Sequence, residues 1–204
     1  MPRQPPPLTV SPCPCPCPRP PPSSRPPPSP RTYTHPQIES IREQEDACVL
    51  PAFDSHVAWD LGATIRAQCQ RTQSLPAAIS IVHANSQLLF FTRTGLGTIP
   101  DEMQWVKRNE ATVQQWGVST LRLKLEVQKD NWILSTSNEP KGKYELADPN
   151  VDCCHGGGFP VRVRNVEGAV GVIVVSGLKG EDNHAVIVAG IQEYLARDRP
   201  TRLD

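Results

Sequence analysis

No stretch of this sequence approaches the roughly 18 consecutive apolar residues that a membrane-spanning helix requires. The longest apolar runs, near Ala169 to Val175 and Ala185 to Ile191, are short, so membrane insertion is not expected. The N-terminus lacks the apolar core of a secretory signal, because prolines interrupt it every few residues. Acidic residues are absent from Met1 to Arg31, which holds four arginines and 15 of the 23 prolines. Setting those four charges aside leaves 17 basic against 21 acidic residues, so the neutral total conceals a basic tail on a domain of net charge −4. No basic patch is interleaved with aromatics, and a mildly acidic domain is poorly matched to a phosphate backbone, so nucleic acid is not an expected partner. No Gly-x-Ser-x-Gly elbow marks a hydrolase, and no Cys-x-x-Cys-His pattern marks covalent haem attachment. The seven cysteines form no disulfide framework. Cys153 and Cys154 are adjacent, a spacing that strains a bridge, and the odd count favours a reducing, cytoplasmic setting.

What the sequence does contain falls into two parts. Residues 1–35 are a Pro-, Arg- and Cys-rich tail, expected to be disordered or polyproline II, with Pro5-Pro6-Pro7, Pro20-Pro21-Pro22 and Pro26-Pro27-Pro28 as stiff pieces. Such a segment suits docking to an aromatic-lined groove on a protein partner. Residues 36–204 are long enough to bury one sizeable core.

Within that domain, Pro36 opens a short helix over Gln37 to Glu45, and Ala47 to Leu50 reads as an edge strand. Asp54 or Ser55 can cap a helix to about Gln73, with Val57, Leu61, Ile65 and Cys69 or Gln68 on one face. Pro76 to Val82 and Gln87 to Thr92 read as a hairpin, with His83 at its turn. A helix runs from Thr98 to Gln115 and ends at Gly117. Leu121 to Val127 alternates apolar with charged residues and predicts a strand. Asn138 to Asn150 is polar and turn-rich. Phe159 to Val166 and Ala169 to Ser176 read as an antiparallel pair, the second central because it is almost wholly apolar. Asp182 caps a final helix to about Ala196.

The densest concentration of chemistry is Cys153-Cys154-His155-Gly156-Gly157-Gly158-Phe159. Three adjacent glycines carry a large ordering cost, so they imply positive φ or close backbone approach at that point. His155 is then an imidazole beside backbone donors that an anion could meet. One reading has the glycines permitting close subunit packing, with His155 bonding across that contact. The other makes His155 a haem or small-anion ligand, with Cys154 as a second soft ligand and Lys107 and Arg108 pairing with propionates. His184 lies two positions after Asp182 and so does not share its face; it serves in packing or turns back toward the glycines.

His155-Gly156-Gly157-Gly158-Phe159-Pro160-Val161, Gly171 to Leu178, Glu181-Asp182-Asn183-His184, Trp105-Val106-Lys107-Arg108 and Trp116-Gly117-Val118-Ser119 together resemble the UPF0303 branch of the haem-degrading, GlcG/HbpS-like (DUF336) family. The resemblance covers about Ile38 to Leu195. It implies a single profilin-like α/β (α+β) domain, an antiparallel sheet flanked by helices, assembling as a homo-oligomer, either a dimer or a larger ring. It also implies a non-enzymatic oligomeric protein, an adaptor or small-ligand binder, with haem binding or degradation through His155 as the alternative. Its candidate cofactor-binding residues are His155, Gly156, Gly157, Gly158, Lys107, Arg108 and His184. Two departures stand out: Asn109 replaces a lysine common after the two basic residues, and Cys153 and Cys154 replace small residues before the histidine.

Overall fold

The strand Gly171–Ser176 has all six of its residues buried, as its near-continuous run of apolar side chains demands. In a computed structural model describing residues 35–72, 76–97, 101–129 and 155–197, this strand lies at the centre of a five-stranded sheet. The expectations for the proline-rich tail, for Cys153 and Cys154 and for Asn138 to Asn150 fall outside the described residues.

The elements in chain order are α1 (His35–Ala47), β1 (Val49–Leu50), α2 (Ser55–Thr72), β2 (Ala78–His83), β3 (Leu88–Arg93), α3 (Glu102–Trp116), α4 (Thr120–Lys129), β4 (Gly158–Val163), β5 (Gly171–Ser176) and α5 (Gly180–Arg197). The sheet order is β1-β4-β5-β2-β3. Neighbouring strands are antiparallel except at one edge, where β1 runs parallel to β4 with Val49 opposite Arg162. The result is a mixed α/β fold, an essentially antiparallel sheet flanked by helices.

Alternation along the strands sorts side chains to the two faces. Ile79, Ile81, Phe159, Val161, Ile173 and Val175 meet α2 and α5 through Leu61, Ile65, Ile187 and Ile191. Each such side chain contributes about 2 kcal/mol on leaving water. Ala78, Val82, Val172 and Val174 face the other way and pack on Val106 and Val113 of α3. Helix α2 starts as expected at Asp54, whose Oδ1 accepts the amides of His56 and Val57 at 2.9 Å. Those donors hold the Asp54 carboxyl below its ordinary value. Helix α3 begins later than expected, at Glu102, and ends as expected, with Gly117 at φ 65° and its amide on the Val113 carbonyl. Cys48 and Cys69 are free and buried, and burial pushes their thiols up to about 12 and about 11.

Two expectations are corrected. Thr120–Lys129 is a helix, although its alternation predicts a strand. Residues two apart lie roughly 200° round a helix, so the same alternation makes two opposed stripes. Leu121 and Leu125 pack on Ile38 and Ile41 of α1, while Leu123 and Val127 pack with Trp116 and Val118. A helix buried on two sides satisfies a period-2 pattern. Asp182 does not cap α5, which begins at Gly180; Asn183 ties the preceding corner instead, accepting the Leu178 amide at 3.2 Å.

The start of α4 carries the main buried ionic group. Glu45 of α1 is 1% exposed; its Oε1 accepts the Ser119 amide at 2.8 Å and its Oε2 the Arg122 guanidinium at 3.0 Å. Ser119 in turn accepts the Arg122 amide at 3.2 Å, closing the first turn. Arg162 of β4 lies 3.7 Å from the same carboxylate. Among the described residues, no helix is long and apolar enough to cross a membrane. Glu45→Ala strips a buried carboxylate from two guanidinium groups and is expected to cost about 3 kcal/mol, measured as a lowered urea midpoint with an unchanged slope.

Candidate functional site

The glycine segment does what its composition requires, and it does so inside one chain. Gly156 and Gly157 sit at φ 81° and 124°, where side chains are strained. A Cβ on Gly157 would lie 2.4 Å from the Val175 carbonyl oxygen of β5, and one on Gly156 would lie 2.6 Å from that of Gly180. The converse contact is tighter still: the His155 carbonyl oxygen occupies the place where a Cβ on Gly180 would go. The entry to β4 and the start of α5 therefore share a space that only glycine leaves open.

Gly156, Gly157 and Gly158 are all buried, which leaves His155 exposed at the mouth of a fixed backbone. Its imidazole stands edge-on to the Trp105 indole of α3, with centroids 5.1 Å apart and planes at 70°. The Arg108 guanidinium lies 4.9 Å from the centroid of that indole, one helical turn on. The structure thus gathers His155, Trp105 and Arg108 on one surface. Lys107 is exposed on the same helix, and its charge bears on Glu110. The Glu110 carboxyl, half-buried and hydrogen-bonded to Ser80, is raised by burial.

His184 is elsewhere in kind. It is buried among α1, β4 and α5, with Nε2 donating to Gln44 Oε1 at 3.1 Å and its ring 5.5 Å from that of Phe159. Nδ1 has no partner among the described residues. Burial pushes its pKa down to about 4, so it is a neutral packing histidine. Asn109 is buried too, so the position that departs from the resemblance does not present a side chain to the His155 surface. Cys154 lies outside the described residues.

A family described as haem degrading protein, HbpS-like, matches residues 53–192. The chain belongs to this family. Its relatives include UPF0303 proteins of Zymomonas mobilis, 32% identical over 78% of this chain and 79% of that one, and of Brucella anthropi, 32% identical over 79% and 89%. Among solved structures, the Ybr137w protein matches with a TM-score of 0.69 at 25% identity, covering 80% of this chain and 90% of that one. HbpS itself matches with a TM-score of 0.53 at 18% identity over 69% and 89%, a likeness of fold.

Within this HbpS-like chain, sequence reasoning singled out His155 and Arg108 but gave Trp105 no site role. The helical spacing of Trp105 and Arg108 carried a signal for their pairing; the approach of His155 is tertiary and carried none. Among the described residues no group of three His, Cys, Asp or Glu could hold a metal ion. What the surface offers is one imidazole, with an aromatic wall and a cation beside it.

His184 generates a pH prediction. Its folded pKa is depressed from 6.5 to about 4, so the unfolded chain binds the proton more readily between those values. Stability is unaffected by this group above pH 6.5 and is lost as pH falls toward 4, by about 3 kcal/mol in all. His184→Gln removes that dependence; urea midpoints measured from pH 7 to 4 should fall more steeply for the wild type than for the variant.

Proposed function

We propose that this chain is a non-enzymatic, cytoplasmic small-ligand binder built on a profilin-like domain, working as a homo-oligomer, with His155, Trp105 and Arg108 as its recognition surface. The observation that carries the reading is the exposed His155 imidazole, held edge-on to Trp105 by a backbone locked at Gly156 and Gly157. A fixed imidazole beside an indole and a guanidinium suits a planar ligand bearing anionic groups: stacking, a charge-assisted hydrogen bond and a ring-nitrogen contact are available together. Trp105 and Arg108 supply neither a nucleophile nor a proton-transfer group to work with the imidazole, which favours binding over turnover.

Self-association is supported by the edge of β3, unpaired among the described residues, where Leu88 is 59% and Phe91 38% exposed, with Trp59 of α2 64% exposed nearby. Apolar side chains at an unpaired strand edge favour covering by another chain. The adaptor reading of the UPF0303 type rests on the same surface.

Haem is the ligand class that best fits. A lone imidazole is a poor site for a bare metal ion, whereas a porphyrin brings four nitrogens of its own and asks the protein for an axial ligand. His155 would supply that ligand through a ring nitrogen, with Arg108 pairing with a propionate; Lys107, two positions after Trp105, lies on the other side of α3 toward Glu110. The family name and the solved haem complex of PduOC, similar in fold at a TM-score of 0.51, point the same way.

Titrating haem into the full chain should give a saturable Soret shift, weakened by about tenfold or more in His155→Ala. No shift, or an identical one in the variant, removes haem from the reading. Light scattering on the same samples should give a multimer, and a monomer at micromolar concentration removes the oligomer.

A further inference from the structure

Between the segment of the exposed His155 and the helix of the half-buried Trp105 runs a buried chain of hydrogen bonds whose polarity is fully determined. The Gly158 amide donates to Thr120 Oγ1 at 3.0 Å. Thr120 Oγ1 donates to Asn109 Oδ1 at 2.9 Å. Asn109 Nδ2 donates to the Trp105 carbonyl at 2.9 Å. A carbonyl only accepts and an amide N–H only donates, so the two ends fix every group between them. The Trp105 carbonyl demands the amino side of Asn109. The amide oxygen of Asn109 then requires a donor, which the Thr120 hydroxyl supplies while its lone pair takes Gly158. Thr120 is fully buried and Asn109 is 3% exposed, so water offers no substitute at either bond.

The sequence positions joined by this chain matter. Gly158 lies three residues after His155 and opens β4, Thr120 opens α4, and Asn109 sits one turn after Trp105 in α3. The packing is equally close: a Cβ on Gly158 would lie 2.8 Å from Val113 Cγ2, 3.0 Å from Thr120 Cγ2 and 3.1 Å from the Asn109 carbonyl oxygen. One hydroxyl thus ties the strand that follows His155 to the helix that carries Trp105. Apolar packing alone would allow the two to slide; a donor and an acceptor used at the same oxygen set both distance and direction.

We propose that Thr120, acting through Asn109 and Gly158, is the positioning residue of the recognition surface, setting the geometry between His155 and Trp105. The inference rests on the assignment of that surface, and it specifies how the surface is built. Isosteric Thr120→Val removes both bonds without changing volume, whereas Thr120→Ser keeps them. The Asn109→Asp change places a carboxylate against the Trp105 carbonyl and should mimic Thr120→Val.

The test uses the full chain and a readout independent of ligand. Protonated imidazole quenches the fluorescence of an indole it touches, so the emission of wild-type protein should show a pH step that is missing in His155→Ala and in Trp105→Phe. Thr120→Val should lose most of that step while remaining folded by circular dichroism, and Thr120→Ser should retain it. Haem affinity should fall about tenfold in Thr120→Val and return in Thr120→Ser. A step of wild-type size in folded Thr120→Val, with only its melting temperature lowered, would overturn the proposal, as would a wild-type profile that does not change with His155→Ala. Failure of haem binding in every protein, with the fluorescence pattern as expected, would sink the ligand assignment and leave the positioning role standing.

Discussion

The entry to β4 and the entry to α5 occupy the same small volume, and glycines on both sides make this possible. The His155 carbonyl stands where a Gly180 side chain would be, and Gly156 and Gly157 press on the carbonyls of Gly180 and Val175. This interleaving brings the sheet and the start of α5 to backbone distance without intervening side chains. It fixes the corner from which β4 departs, and with it the placement of β5, α5 and the exposed imidazole. Conformational freedom that is costly elsewhere in a chain is used here to remove the freedom of a site.

The remaining helices are fastened by polar groups whose burial makes partners obligatory. Glu45 binds α1 to the start of α4 and lies within reach of Arg162 of β4. Thr120, the next residue after the Ser119 cap, binds α4 to α3 and β4. Hydrophobic contact supplies the attraction in each case, through Ile38, Ile41, Leu121 and Leu125 on one side of α4 and Leu123 and Val127 on the other. The buried bonds select which of the many apolar arrangements is adopted, because a displaced helix would leave a carboxylate or a hydroxyl unpaired.

Much of this was legible in the amino-acid pattern. Gly156 to Gly158 announced tight backbone approach, Gly117 a helix end, Asp54 a cap, and the apolar run at Gly171 to Ser176 a central strand. Each is a local requirement with few chemical solutions. Leu121 to Val127 misled because alternation is produced both by a strand with one buried face and by a helix with two, and only the presence of α1 on one side distinguishes them. The role of Gly180 has no local signature because it depends on His155, twenty-five positions earlier in the chain. Trp105 lies in a helix and His155 in a loop fifty positions later. Their contact is created by Thr120 and Asn109, which look like ordinary polar positions until the fold buries them.

The order of strands in the sheet sets when the protein can become stable during its own synthesis. Val49 of β1 waits for Arg162 of β4, and Ile79 of β2 waits for Val175 of β5. A growing chain that has emerged only through β3 possesses α2 and a hairpin, but β2 has one edge open and its apolar face lacks α5. Such a chain has no core to close until nearly all of the domain has been made, and loop closures of this length are slow. A ribosome that stalls between β3 and β4 would thus release a species with an exposed Ile79-Ile81 face and two free strand edges, the kind of surface that chaperones retain.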